Sequence, residues 1–276
     1  MRLRSLFLLL PVSAAFATTP GAWPSELLMT RAEKDQAFKT GPTSPLAGVQ
    51  RLTVEAGEPA GLREQGGAVA LGTAAGATAV VLRDQGAWRL RLGSSERPLG
   101  AGDVFPIGRF HVQAQVSRER VVLLVFDPQA PALKAFKGLR YYAPSRDFVV
   151  EADAEPVERA QPITLATTRQ LRKAFTPYAR LHFRLDGRPM ALTAYRSGGE
   201  DTLFIPFTDA TTGKDTYAVG RFLEVPLPPG RILTLDFNQA YNPLCNYSGI
   251  WNCPIPPEEN ALPIPIRAGE RTYPAH

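Results

Sequence analysis

The hydrophobic positions change their period several times along the chain. Leu6 to Leu10 form a continuous apolar run behind Arg2 and Arg4. That run is too short for the roughly 20 residues that cross a bilayer. Ala15-Phe16-Ala17 follows with the small-x-small spacing of a cleavage site. Residues 1–17 therefore read as an export signal peptide cleaved after Ala17, which implies a periplasmic or secreted protein. An N-terminal arm and helix take up 18–45. The helix is expected over about 25–38, with Ser25 or Thr30 as N-cap, because Thr30-Arg31-Ala32-Glu33 has capping-box form. Gly41-Pro42-Thr43-Ser44-Pro45 ends it.

Over 46–127 the period shortens to two. Segments 50–55, 68–72, 78–83, 88–92 and 120–126 are rich in Val, Leu and Thr and are separated by glycine-containing breaks. Trp88-Arg89-Leu90-Arg91-Leu92 alternates as a half-buried strand should. A connector at 128–145 carries its own apolar side chains, among them Leu133, Phe136, Leu139, Tyr141 and Tyr142.

The lobe at 146–276 is the clearest. Leu181, Phe183 and Leu185 alternate with His182 and Arg184, and Asp186-Gly187 predicts a type I′ hairpin turn. The chain returns through Met190, Leu192 and Ala194, and Ser197-Gly198-Gly199 turns it into 202–207. Thr212-Gly213-Lys214 leads into 216–225, and Pro228-Pro229-Gly230 into 231–237. Five strands joined by tight turns make an antiparallel meander. After Asn238 the prolines forbid a central strand, yet Tyr241, Tyr247, Trp251, Leu262, Ile264 and Ile266 ask to be buried. This tail reads as an ordered strap laid over the sheet. The expected fold is mainly β: two antiparallel β lobes, each a sandwich or small barrel, with a short N-terminal helix and a Pro-rich C-terminal strap.

Composition narrows the function classes. The 276 residues include 26 prolines, which argues against a helical bundle. Fourteen Phe, eight Tyr and three Trp exclude a disordered chain. The formal net charge of +5 falls by two when Arg2 and Arg4 leave with the signal peptide, and the remaining basic residues are scattered. Nucleic acid is therefore not an expected partner, and the mature chain carries no transmembrane segment.

Cys245 and Cys253, with seven residues between them, are the only cysteines. Parity and compartment point to a disulfide, worth about 2.5 kcal/mol in the chain-entropy model. Free structural thiols, a metal pair awaiting two further ligands, and a nucleophilic cysteine are the alternatives. The loop 208–216 fails the P-loop rule, because Thr208 stands where the first glycine belongs. It fails as an EF-hand too, because Gly220 stands where a bidentate Glu belongs. Either Asp209 and Thr211 bond their own backbone there, or they line a site. Asp236 and Asn238 share one strand face, and Arg221 is the natural ion-pair partner for Asp236; a structural pair and a catalytic carboxylate are both open. Histidine is limited to His111, His182 and His276, and no G-x-S-x-G elbow exists. Acid–base chemistry would rest on carboxylates such as Asp209, Asp236, Glu259 or Glu270, with Asp209, Asp236 and Glu259 the catalytic candidates.

Pro206-Phe207-Thr208-Asp209-Ala210-Thr211-Thr212-Gly213, Thr216 to Phe222, and Asp236-Phe237-Asn238-Gln239-Ala240-Tyr241-Asn242-Pro243 carry a resemblance. With Cys253-Pro254, Pro256 to Asn260 and Ala268-Gly269-Glu270, they resemble the bacterial and archaeal family known as domain of unknown function family 1684. Glu33-Lys34-Asp35 with Ser44-Pro45, and the stretch 136–142, look like its upstream blocks. The resemblance implies no activity or cofactor. It implies a shared polar set: Asp209, Thr212, Thr216, Tyr217, Arg221, Asp236, Asn238, Tyr241, Asn242, Asn260 and Glu270. Three functions are compatible with that set. One is an exported, non-catalytic module binding a small molecule or glycan. The others are a carboxylate-dependent hydrolase and a structural envelope protein whose motif is a folding latch. No metal or cofactor is expected, and the oligomeric state is open.

Overall fold

A computed structural model describes residues 23–196 and 201–273. The signal-peptide reading at 1–17, the Ser197-Gly198-Gly199 turn and the terminal His276 lie outside the described residues. The protein is mainly β, as expected, and divides into two compact units. Unit one comprises Gln36–Phe136 and Ser248–Ile250. Within the described residues, unit two holds the chain up to Asp35, Lys137–Tyr247, and the chain from Trp251 onward.

Helix α1 spans Trp23–Thr40. Gly41 closes it by donating its N–H to Ala37 O at 2.9 Å, and the hydroxyl of Ser44 donates to Phe38 O. A short α2 covers Pro131–Ala135. None of the described helices is long and apolar enough to cross a membrane.

Unit one is built from β1 (Gly48–Glu55), β2 (Ala60–Gln65), β3 (Ala68–Gly72), β4 (Ala79–Asp84), β5 (Ala87–Leu92), β6 (Ser95–Pro98), β7 (Val104–Ile107), β8 (Phe110–Val116) and β9 (Arg120–Phe126). They form two antiparallel sheets, β1-β9-β8-β7 and β3-β2-β4-β5-β6. Val54, Leu62, Val81, Trp88, Leu90, Phe105, Val112 and Leu123 belong to one core, to which both sheets contribute, so the unit is a sandwich. The alternation in β5 is realised: Trp88 and Leu90 are buried while Arg89 and Arg91 are half-buried on the other face.

Unit two carries β10 (Val149–Pro156), β11 (Ile163–Ala166), β12 (Arg172–Leu185), β13 (Arg188–Arg196), β14 (Thr202–Phe207), β15 (Arg221–Pro226) and β16 (Ile232–Asp236). The spatial order is β15-β14-β13-β12-β10-β16, with β11 paired to β12. The β12–β13 turn has positive φ at both Asp186 (53°) and Gly187 (68°), as its sequence requires. Two features correct the simple meander. The last strand does not pair with β15; it crosses to the far edge and pairs with β10, Val150 opposite Leu235. The expected strand over 216–225 begins only at Arg221. Gly220 has φ +110°, and a Cβ there would sit 2.6 Å from Phe207 O, so the chain must turn before the ladder starts.

The strap obeys a period of two. Leu262, Ile264, Ile266 and Ala268 are buried in the core of unit two, while Pro263, Pro265 and Arg267 are exposed. The strap runs beside residues 208–210. Leu262 N donates to Thr208 O at 2.8 Å, and Ile264 O accepts from Ala210 N at 3.2 Å. The prolines fall on the alternate positions, where no N–H is needed for this ladder.

Candidate functional site

The register of β14 against β15 sets Phe207 opposite Arg221. Asp209, two residues past the end of β14, therefore comes beside the Arg221 guanidinium. Nη2 of Arg221 donates to Asp209 Oδ2 at 2.9 Å, and both side chains are 1% exposed. This corrects the expected Arg221–Asp236 pair. Arg221 also fastens the strap: Nη2 donates to Ile266 O at 2.7 Å, and Nη1 to Glu270 O at 3.2 Å and to Ala268 O. The ring of Phe207 lies under the guanidinium at 5.3 Å. Such burial of a charge is tolerated because the carboxylate and a fan of carbonyls replace water.

Asp209 is equally committed. Its Oδ1 accepts from Thr211 N (2.8 Å), Thr211 Oγ1 (2.6 Å) and Ile266 N (3.1 Å). Thr212 Oγ1 accepts from Asp209 N at 3.0 Å, and Thr216 Oγ1 pairs with Thr211 Oγ1 at 2.9 Å. The loop is thus both an Asx turn and a clamp. Thr211, read from the sequence as a turn former beside Asp209 but left out of the shared polar set, is a full member of this clamp.

Asp236 ends β16 and caps a short 3-10 turn. Oδ1 accepts from Asn238 N (2.9 Å) and Asn238 Nδ2 (2.8 Å), and Oδ2 accepts from Trp23 Nε1 and Gln239 Nε2, each at 3.2 Å. Asn238 in turn holds Ser145, accepting from its N–H at 2.9 Å and donating to its carbonyl at 2.8 Å. Asn260 does the same for β13, accepting from Thr193 N at 2.7 Å and donating to Thr193 O and Pro206 O. Glu259 is exposed and accepts from Tyr195 OH at 3.1 Å. The three candidate catalytic carboxylates thus have three separate sets of partners.

A second centre surrounds Glu270, which is 2% exposed. Its Oε1 accepts from Lys34 Nζ at 2.5 Å, and Oε2 from Asn242 N and Tyr247 OH, both at 2.8 Å. Asn242 Nδ2 donates to Arg271 O at 2.8 Å. Tyr241 donates its hydroxyl to Glu224 Oε1 at 2.6 Å and presents its ring to Lys34 Nζ, 5.0 Å from the centroid. Burial, reinforced by Glu270, pushes the Tyr141 and Tyr247 phenols up, so both stay protonated.

Helix α1 supplies partners that the sequence reading did not assign. Arg31 donates to Tyr142 O at 3.0 Å and Asn238 O at 3.1 Å, and its guanidinium covers the Tyr141 ring at 4.4 Å. Asp35 Oδ1 accepts from Leu139 N at 3.1 Å. The signal was present: Leu27, Arg31, Lys34 and Phe38 fall on one helix face at spacings of three and four. A charged pair in the middle of an otherwise buried stripe marks a polar docking surface.

Cys245 and Cys253, the expected disulfide pair, are free cysteines brought within 2.9 Å of each other. Cys245 N–H points at Cys253 Sγ, 3.2 Å away, and Tyr217 OH donates to Cys245 O at 3.2 Å. The hydrogen bond from Cys253 lowers the Cys245 thiol's pKa, and the same contact together with burial raises that of Cys253. Among the described residues, no group of three or more His, Cys, Asp or Glu side chains is gathered as a metal site needs.

Residues 134–271 match a family model described as a protein of unknown function, DUF1684. A solution NMR structure of an uncharacterised protein from Haloarcula marismortui is 40% identical, over 53% of this chain and 83% of that one, with a TM-score of 0.45. No curated protein matches.

Proposed function

We propose, for a chain that belongs to the DUF1684 family of proteins of unknown function, that it is an exported, non-catalytic β protein of the cell envelope whose shared polar motif is a folding latch. The observation carrying this reading is Arg221, whose two terminal nitrogens are spent on Asp209 and on three strap carbonyls. Asn238 and Asn260 likewise bond mainly to main chain, and Asp209 and Asp236 are each filled by four donors from the fold itself. In an oxidising compartment Cys245 and Cys253 each lose a proton and an electron to a host thiol oxidant and join, which tightens the same strap. The test is unfolding of an Arg221→Ala variant, with N-terminal sequencing of the exported protein to locate a start at Thr18. A large stability loss supports the latch, and an unchanged unfolding midpoint contradicts it.

The second reading is the small-molecule or glycan-binding module, and Glu270 favours it. Here a carboxylate 2% exposed spends one oxygen on the strap and gives the other to a cationic side chain of the helix. The carboxylate-dependent hydrolase has no comparable support, because Asp209, Asp236 and Glu259 share no partner.

A further inference from the structure

We propose that Glu270 and the ring of Tyr241 form a receptor site for a primary ammonium group, which helix α1 fills in cis with Lys34. The inference rests on the binding-module reading and names its ligand chemistry.

The receptor half is fixed. Glu270 Oε2 is held by Asn242 N and Tyr247 OH, which leaves Oε1 for a cation. Tyr241 is pinned by its hydroxyl bond to Glu224 and by reciprocal 2.9 Å main-chain bonds with Phe222, so its ring face cannot swing away. A carboxylate oxygen with an aromatic face beside it is a cation-binding pair. The cationic half is removable. Lys34 carries its ammonium on a flexible stem and its side chain is 27% exposed, against 2% for Glu270. Arg31 and Trp23 hold the same helix through Tyr142, Asn238 and Asp236, so the helix keeps its anchors without Lys34.

Acceptor and donor capacity is left over beside the carboxylate. Asn242 is 1% exposed, and among the described residues its Oδ1 has no hydrogen-bond partner, nor has the buried hydroxyl of Tyr141, whose main chain pairs with that of Glu270. A structural ion pair needs neither atom, whereas an amine bearing a further hydroxyl or carbonyl group could use both. A tetraalkylammonium has no N–H for Oε1 and serves as the discriminating control.

The test uses the full chain carrying Lys34→Ala, with Lys34→Gln as a second variant that keeps the stem. Thermal melting is followed against methylammonium, a lysine-bearing peptide, tetramethylammonium and potassium at equal ionic strength. The expected result is a melting temperature that rises with the logarithm of methylammonium concentration in either variant, but not in the unsubstituted chain. A stronger response to the peptide than to the free amine assigns a protein lysine as the source. No amine-specific rise in either variant overturns the site, as does an equal rise after adding Glu270→Gln. Oligosaccharide binding by the unsubstituted chain without any amine response overturns the ammonium site and leaves the binding-module reading standing.

Discussion

Arg221 and Asp209 meet at 2.9 Å with side chains 1% exposed, and the same guanidinium reaches three carbonyls of the strap. Removing one member leaves the other as a buried, uncompensated charge. Arg221→Ala is expected to cost about 3–5 kcal/mol, read from the midpoint of urea unfolding. Arg221→Lys keeps the charge but lacks the planar fork, so it recovers only part of that loss.

Gly269 and Gly213 separate backbone strain from steric clash. Both have φ +75°, but a Cβ on Gly269 would sit 2.4 Å from Ala240 O, while one on Gly213 meets nothing within 4 Å. Gly213→Ala should cost only the left-handed backbone term, about 1–2 kcal/mol. Gly269→Ala should cost clearly more, because the turn that delivers Glu270 must shift. Parallel denaturation curves of the two variants check the difference.

Asp35 gives a pH dependence of definite sign. Burial raises its carboxyl above the ordinary 3.8, outweighing the bond from Leu139 N, and Glu270 adds to the rise. The folded state then holds the proton more tightly than the unfolded chain. Its contribution is fully present below pH 3.8 and is lost as pH rises through the higher folded value. Asp35→Asn should remove that loss, so the variant gains on the parent as pH climbs from 4 toward neutrality. Unfolding midpoints across that range measure it.

The two thiols should react in a fixed order. Cys245 is half-buried and its pKa is lowered, whereas Cys253 is buried and its pKa is raised. Iodoacetamide applied to the reduced protein is expected to label Cys245 first, with Cys253 following only under denaturant. Mass spectrometry of the peptides reads the order.

Several elements could be read directly from the residues because their signals are local. Asp186-Gly187 dictates its own turn, and β3, β9 and β14 carry dense Val, Leu or Phe. β2 and β10 escaped because their inward faces carry little hydrophobic signal: Leu62 with only Ala60 beside it in one, Ala152 and Ala154 in the other. A strand whose core face is alanine shows almost no hydrophobic alternation. The place of β16 was not local information at all, since it pairs across the sheet with a strand some eighty residues earlier. The polar set itself came from resemblance, but the partner of Arg221 did not. Alternation put Asp236 on a plausible face, while register and a two-residue overshoot past β14 decided for Asp209. The role of α1 could have been seen from the Leu27, Arg31, Lys34 and Phe38 stripe.

The account turns on whether the strap is held as part of the folded unit. Native-state amide hydrogen exchange at Ile266, whose N–H donates to Asp209 Oδ1, and at Glu270, whose N–H donates to Ala240 O, measures this directly. Protection at both positions equal to that of the β12–β13 hairpin, falling selectively in Arg221→Lys, is the predicted result. Exchange at both positions near the rate of an unstructured chain, in the unsubstituted protein, would contradict it.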